Sequence, residues 1–265
     1  MRIIDFHTHA FPDAIAEHAM PLLEEEGNIK AALDGKLSSL LRSMDATGID
    51  VSVVASIATR PTQFESILKW SKTIASDRVI PFPSVHPSDG DAMERVRIIR
   101  DEGFKGLKLH PYYQEFDMAE ERVFPLYEAI QDSGLILLCH TGFDMAFERV
   151  RKADPARIAR VIEAFPELRL VTSHLIAWED WDEARNHLLG KPVYMDVSFS
   201  IENLGDQARD FILAHPAEYV LFGTDSPWGG QRDTVEAVQE LNLGAETEDK
   251  IFWAVSYTHL RAHET

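Results

Sequence analysis

Residues 104–140 read FKGLKLHPYYQEFDMAEERVFPLYEAIQDSGLILLCH, and the order of elements in this stretch decides the fold. Phe104–Leu109 is a short apolar run of strand length, Glu120–Ser133 interleaves apolar and polar residues at helical spacing, and Leu135–His140 is a second short apolar run. Gly134 falls between helix and strand, where a left-handed residue ends a helix. The unit is strand, helix, strand.

Working outward, the same unit recurs. Strands are expected at Arg2–His7, Val51–Ile57, Val79–Val85, Phe104–Leu109, Leu135–His140, Leu168–Ser173, Val193–Val197 and Tyr219–Gly223. Helices are expected at Leu37–Thr47, Thr62–Ser76, Asp91–Glu102, Glu120–Ser133, Pro155–Phe165, Glu179–Leu189, Leu204–Ala214 and Thr234–Leu241. Gly48 and Gly103 close helices as Gly134 does, and Pro155 after Asp154 suits a first helical turn. Strict alternation implies a parallel sheet. Eight units in about 240 residues favour a single closed (β/α)8 TIM barrel over an open doubly wound sheet. No GxGxxG or GxxxxGK[ST] motif supports the open alternative. The expectation is one α/β domain.

Composition narrows the partners. Lys and Arg number 26 against 44 Asp and Glu, a formal charge of -18, which argues against nucleic acid and anionic lipid because both need a basic face. The acid run Glu24–Glu26 is read as solvated surface. No apolar run reaches the length of about eighteen residues that a membrane span needs, and MRIIDFHTHA lacks the apolar stretch of a signal peptide. The single cysteine, Cys139, rules out an internal disulfide and fits a cytoplasmic setting. Its parity opposite to His140 predicts burial. A small molecule is the expected partner, with a homo-oligomer left open.

The end of the chain breaks the pattern. Glu248–Ala254 reads as the start of an amphipathic helix, whereas Val255–Thr265, VSYTHLRAHET, turns polar and aperiodic. The segment resembles the in-frame translation of a sequencing-library transposon adapter. Residues 1–254 are therefore read as the barrel, its final helix cut short, and 255–265 as a non-native tail in which His259 and His263 have no metal role.

Position carries the functional signal. His7 and His9 follow the first strand, His140 ends the fifth, His174 follows the sixth and Asp225 follows the eighth. All lie at carboxyl ends of strands, where barrel active sites are built. Residues two apart on a strand share a face, so His7 and His9 both point inward. Imidazole and carboxylate are natural ligands of zinc and similar divalent ions. Singly, each has an ordinary explanation: HxH pairs occur on surfaces, strand-end histidines are often structural, and Asp225 in GTDSP can cap a turn. Together, at one end of one barrel, they mark a metal site.

DFHTH, GLKLHP, LLCHTG, VTSHL and LFGTDSPW, spread over strands one to eight, resemble the amidohydrolase superfamily. More narrowly they resemble the amidohydrolase-2 family of TIM-barrel metal-dependent hydrolases, which includes decarboxylases related to aminocarboxymuconate semialdehyde decarboxylase. The resemblance implies an enzyme with a divalent ion, zinc by preference, and does not single out a substrate. In the favoured reading His7, His9, His140 and Asp225 bind one ion, while His174 polarises substrate or shuttles a proton. In the other, Lys108 matches the carboxylated lysine of binuclear relatives such as dihydroorotase and bridges two ions, one on His7, His9 and Asp225, the second on His140 and His174.

The expected reaction is hydrolysis of an amide, ester or lactone-type bond by metal-activated water, with Asp225 as general base. The alternative is nonoxidative decarboxylation of an unsaturated or aromatic acid, for which Lys108 or Arg60 would hold the carboxylate. A barrel keeping its metal for structure alone is the non-enzyme reading, and a closed ligand shell would favour it. Lys108 and His110 share strand parity and are substrate-binding candidates at the mouth. Trp178 and Trp228, on mouth loops, join them, with Phe143 a third aromatic. His86 either lines the pocket or faces solvent, and His18, His187 and His215 are expected at the surface. Phe11–Lys36 is a long excursion of the kind that forms lids or oligomer contacts.

Overall fold

The computed structural model describes residues 1–261. Its eight parallel strands are β1 Ile4–Thr8, β2 Val51–Ala55, β3 Val79–Phe82, β4 Gly106–Leu109, β5 Ile136–Cys139, β6 Arg169–Thr172, β7 Tyr194–Asp196 and β8 Val220–Leu221. They pair in chain order as β1-β2-β3 and β4-β5-β6-β7-β8. Backbone contacts stitch both seams between these sheets. Lys108 N–H donates to Pro83 O at 2.8 Å beside a Ser84–Lys108 bridge, and Phe6 N–H donates to Phe222 O at 2.8 Å beside a Thr8–Ser226 bridge. The sheet is thus the expected closed barrel.

Helices fill the connections: α1 Asp13–Gly27, α2 Leu37–Thr47, α3 Phe64–Ile74, α4 Ala92–Asp101, α5 Phe124–Asp132, α6 Pro155–Ala164, α7 Trp181–His187, α8 Ile201–Leu204, α9 Asp206–Leu213 and α10 Gln231–Glu240. Strand alternation separates two apolar layers. Phe6, Val53, Phe82, Leu138, Val171 and Leu221 cluster inside the barrel, while Leu107, Leu137, Cys139, Leu170 and Met195 pack with the helices. Cys139 is buried in the outer layer, as its parity predicts.

One irregularity aims the site. β1 pairs Asp5 with Ser52 but Thr8 with Val54, one residue out of step. This bulge lets Phe6 join the interior cluster while the adjacent His7 also turns inward, where strict alternation would send the two to opposite faces.

The Phe11–Lys36 excursion contains α1, 15 residues long and closed by Asn28 at φ 47°. It is tied across the mouth by Phe11 N–H to Gly35 O at 2.8 Å and Ala32 N–H to Pro227 O at 2.7 Å. At the far end, helix Ala245–Asp249, a π-helical turn at Lys250–Ala254 and helix Val255–Arg261 follow one another directly. Val255 and Leu260 join Ile4 and Phe6 in the inner cluster, and Leu260, Trp253 and Tyr257 border a hollow beside the amino-terminal ends of β2 and β3. His259 packs its ring 4.6 Å from that of Tyr194. His263 lies outside the described residues. His18 and His187 are exposed or half-exposed, but His215 corrects the surface expectation: it is buried, with Nε2 2.8 Å from Val193 O and Nδ1 accepting from Gly190 N–H at 3.2 Å. An imidazole that joins two backbone segments is held inside by both bonds.

Candidate metal centre

β1 delivers His7 and His9, and the turn after β8 delivers Asp225. Asp225 Oδ1 lies 3.1 Å from His9 Nε2 and 3.3 Å from His7 Nε2. The far nitrogen of each ring faces a group that accepts. His9 Nδ1 donates to Ala55 O at 2.8 Å, and His7 Nδ1 donates to Asp196 Oδ2 at 2.9 Å. Across the mouth, His174 Nδ1 donates to Ser198 O at 3.1 Å and His140 Nε2 donates to Phe143 O at 2.9 Å. That leaves His174 Nε2 and His140 Nδ1 as lone pairs 3.2 Å apart.

Four imidazole lone pairs and one carboxylate thus face one another, and Lys108 Nζ, 3.0 Å from His7 Nε2, is the donor set among them. Lone pairs this close repel unless a cation sits between them. Tetrahedral zinc, with bonds of about 2.0–2.1 Å, holds neighbouring ligand atoms about 3.3 Å apart. The donor set fits a divalent ion. His7, His9 and Asp225 form one grouping, whereas His140 stands closer to His174 than to the other three.

A second cluster, His110, His140 and Asp144, has its ligand atoms within 4.8 Å of one another but different chemistry. His110 Nε2 donates to Asp144 Oδ2 at 3.3 Å, and the His110 ring stacks on His140 with centroids 4.2 Å apart. Each lone pair there has a proton to meet. The pair supports the orientation of the His140 ring.

Burial sets the protonation states. It depresses His140 to about 3, helped by His110, and His174 to about 4, helped by His140. Burial and then Lys108 hold His7 well below the usual imidazole range. These rings are neutral at pH 7, the form that ligates. For Asp225 burial works upward, but the His7 and His9 imidazoles beside it outweigh burial and keep the carboxyl far below its usual range. Burial pushes the Lys108 ammonium down against the pull of Asp225. The Cys139 thiol is raised to about 12 by burial, which removes it as a nucleophile.

Backbone strain gathers at the same place. His174, Leu175 and Ile176 take φ of 61°, 51° and 77°, and Asp225 takes 56°. Left-handed non-glycine residues cost on the order of 1–3 kcal/mol each and cluster at functional sites.

All nine expected positions meet in one cavity of about 180 Å³: His7, His9, His140, His174 and Asp225, with Lys108, His110, Trp178 and Trp228. Three looser candidates are not among its lining residues. Arg60 is exposed in the loop after β2. Phe143 is buried beneath the Arg149 guanidinium, 4.0 Å from its ring centre. His86 is buried with Nδ1 accepting from Ser88 N–H at 3.1 Å, so it organises its own turn.

Sequence reasoning missed Asp196, Ser198, Asp144 and Phe199. Asp196 is fully buried on β7, accepts from His7 and from His174 N–H at 3.0 Å, and had one visible signal, a lone acid in the apolar run YMDV. The excursion after β1 reaches the cavity, where Phe11, Leu23, Gly27 and Ile29 line it.

The fold and the donor set define a barrel enzyme built around a divalent cation. The amidohydrolase family profile matches residues 4–254, and the chain belongs to that family. A dihydroorotase from Marinobacter nauticus is 28% identical over 116 residues, 40% of this chain and 34% of that protein, so the match spans about a third of that curated relative's length. An uncharacterized TIM-barrel protein from Bordetella bronchiseptica superposes with a TM-score of 0.75 at 20% identity, covering 100% of both chains. A 2,6-dihydroxybenzoate decarboxylase from Rhizobium gives 0.70 at 14%, covering 99% of each. A 5-carboxyvanillate decarboxylase from Novosphingobium aromaticivorans, complexed with manganese, gives 0.70 at 16%, covering 98% of this chain and 96% of its own. At such identities these three structures speak for the fold alone.

Proposed function

We propose that the protein is a hydrolase of a small molecule, cleaving an amide, ester or lactone-type bond with Asp225 as general base. The observation that carries the reading is the Asp225 carboxylate, ionised and set 3.1 and 3.3 Å from the lone-pair nitrogens of His9 and His7 at the head of an apolar cavity. His7, His9 and Asp225 would hold the catalytic ion, zinc by preference for an imidazole-rich set, while His140, expected as a fourth ligand, stands beside His174 instead. When bound, a divalent ion supplies Lewis acidity and lowers the pKa of water from about 15.7 to about 7.

The chain's own groups do the rest. Asp225 accepts the proton of the attacking water. His174, its Nδ1–H donated to Ser198 O, presents the Nε2 lone pair to the cavity, where it would take up a proton and pass it to the leaving group. Trp178 and Trp228 line the cavity beside these groups. In the one-ion arrangement we favour, Lys108 gives up the His7 Nε2 lone pair to the ion and faces the substrate instead. Were Lys108 carboxylated, His140 and His174 would be the second ion's ligands, and elemental analysis would count two ions per chain. The lone buried thiol supports a reducing, cytoplasmic setting.

A nonoxidative decarboxylase needs a cation for its substrate's carboxylate. Arg60 is exposed and does not line the cavity, which leaves Lys108, at the metal end, as the candidate among the described residues. Metal-loaded enzyme is to be offered esters, lactones, amides and aromatic acids while product acid and carbon dioxide are followed. Hydrolysis is expected, reduced at least about 100-fold in Asp225→Asn. Carbon dioxide from an aromatic acid, with every hydrolysable substrate untouched, would overturn the proposal.

A further inference from the structure

We infer that the cavity selects an uncharged substrate with one apolar ring, an aryl ester or ring-fused lactone in chemical class; as a statement about substrate, this rests on the hydrolase reading. Size comes first. The space is about 180 Å³, and an apolar cavity of about 150 Å³ is known to take up benzene, so one ring and a small acyl group fill it.

The wall is built for a ring. Trp178 and Phe199 meet edge to face with centroids 5.3 Å apart, Tyr113 and Trp228 line the cavity with them, and the excursion after β1 adds Leu23 and Ile29. Phe199 reaches its place at φ 60°, a conformation bulky residues avoid. The residue before it, Ser198, accepts His174 Nδ1 through its carbonyl. The same strained turn therefore fixes a lone pair of the metal centre and a face of the ring pocket.

Charge completes the case. Lys108, Asp144 and Asp225 are the Lys, Arg, Asp and Glu side chains that line the cavity among the described residues. Lys108 is buried with Nζ 3.0 Å from His7 Nε2, and Asp144 and Asp225 are the acids of the wall. Lys108 is the one cation among the described lining residues and lies at the metal end beside His7, so a carboxylate on the far side of a substrate ring meets no protein cation. Carboxylated substrates are disfavoured away from the metal end.

Isothermal titration of the metal-loaded full chain with acetophenone, 4-acetylbenzoate and acetone tests this, because the three share a carbonyl and differ in ring and distal charge. Acetophenone is expected to bind at least about tenfold more tightly than either of the others, the gap set by ring burial and by the unpaired carboxylate. Trp228→Ala is expected to weaken acetophenone at least about fivefold with metal content unchanged. Equal or tighter binding of 4-acetylbenzoate or of acetone overturns the inference. These are binding readouts, so they separate the two failures. Aliphatic esters turned over without acetophenone binding would defeat the ring pocket and keep the hydrolase; acetophenone bound with no ester, lactone or amide cleaved would do the reverse.

Discussion

At the scale of single residues, the centre depends on which nitrogen of each imidazole carries the proton. Backbone carbonyls settle this for His9, His140 and His174, whereas His7 relies on the Asp196 carboxylate. Asp196→Asn would place an N–H against His7 Nδ1 or against the donors on its other oxygen, His174 N–H and Ser198 N–H, both at 3.0 Å. Metal affinity is expected to fall about 10–100-fold, the usual cost of losing such a support, as read by competition with a chromophoric chelator. An unchanged affinity would show that the tautomer is fixed by something else. Burial of neutral imidazoles also gives the metal-free protein a pH signature. His140 and His174 titrate near 3 and 4 when folded and near 6.5 when unfolded, so the unfolded chain binds more protons between those values. Their contribution to stability is therefore full above about pH 6.5 and lost as pH falls toward 4. Each group gives a slope of about 1.4 kcal/mol for every pH step of one, against an opposing carboxyl, Asp5, which burial raises to about 7. Denaturant unfolding of chelator-treated protein at pH 7.5 and pH 5 should show the lower midpoint at pH 5. A higher midpoint there would contradict it.

At the scale of elements, β1 and the turn after β8 hold the two halves of the ligand set and are clamped together from behind by Asp5. Its carboxylate accepts from Thr224 N–H at 3.0 Å, Thr224 Oγ1–H at 2.7 Å and Gln231 Nε2–H at 2.8 Å. An amide in that place loses the charge, and its NH2 finds acceptors at the Oδ2 position only if the Thr224 hydroxyl and the Gln231 amide both reverse. Asp5→Asn is expected to cost about 2–3 kcal/mol in unfolding free energy and to weaken metal binding by loosening Asp225. Full retention of both would mean that the clamp carries no strain. Much at this scale was legible. β-branched runs, helical spacing and the glycines at 48, 103 and 134 marked the strands and stops, with φ of 80°, 83° and 63° at those glycines. Helix α1 was not, because it buries Ala16 and Met20 while Ile15 and Leu22 remain exposed, leaving no continuous apolar stripe to read. Nor was the β1 bulge, since register is settled by β2 and leaves no trace in the spacing of DFHTH.

At the scale of the whole molecule, the barrel brings five ligand candidates from positions 7 to 225 of the chain to one mouth. Their residue types and strand-end positions could be read from the sequence because only a barrel's carboxyl end collects them. The supports could not. Asp196 lies 189 residues from the ring it holds, and Asp144 looks like any loop acid until it meets His110. Long-range pairing is a property of closure, not of local pattern. The most direct test of the account is a crystal grown with zinc, with anomalous difference density measured on both sides of the zinc edge. The account predicts a peak within about 2.0–2.3 Å of His7 Nε2, His9 Nε2 and an Asp225 oxygen. A peak that leaves Asp225 outside bonding distance, or none at the mouth of a fully zinc-saturated crystal, would contradict it.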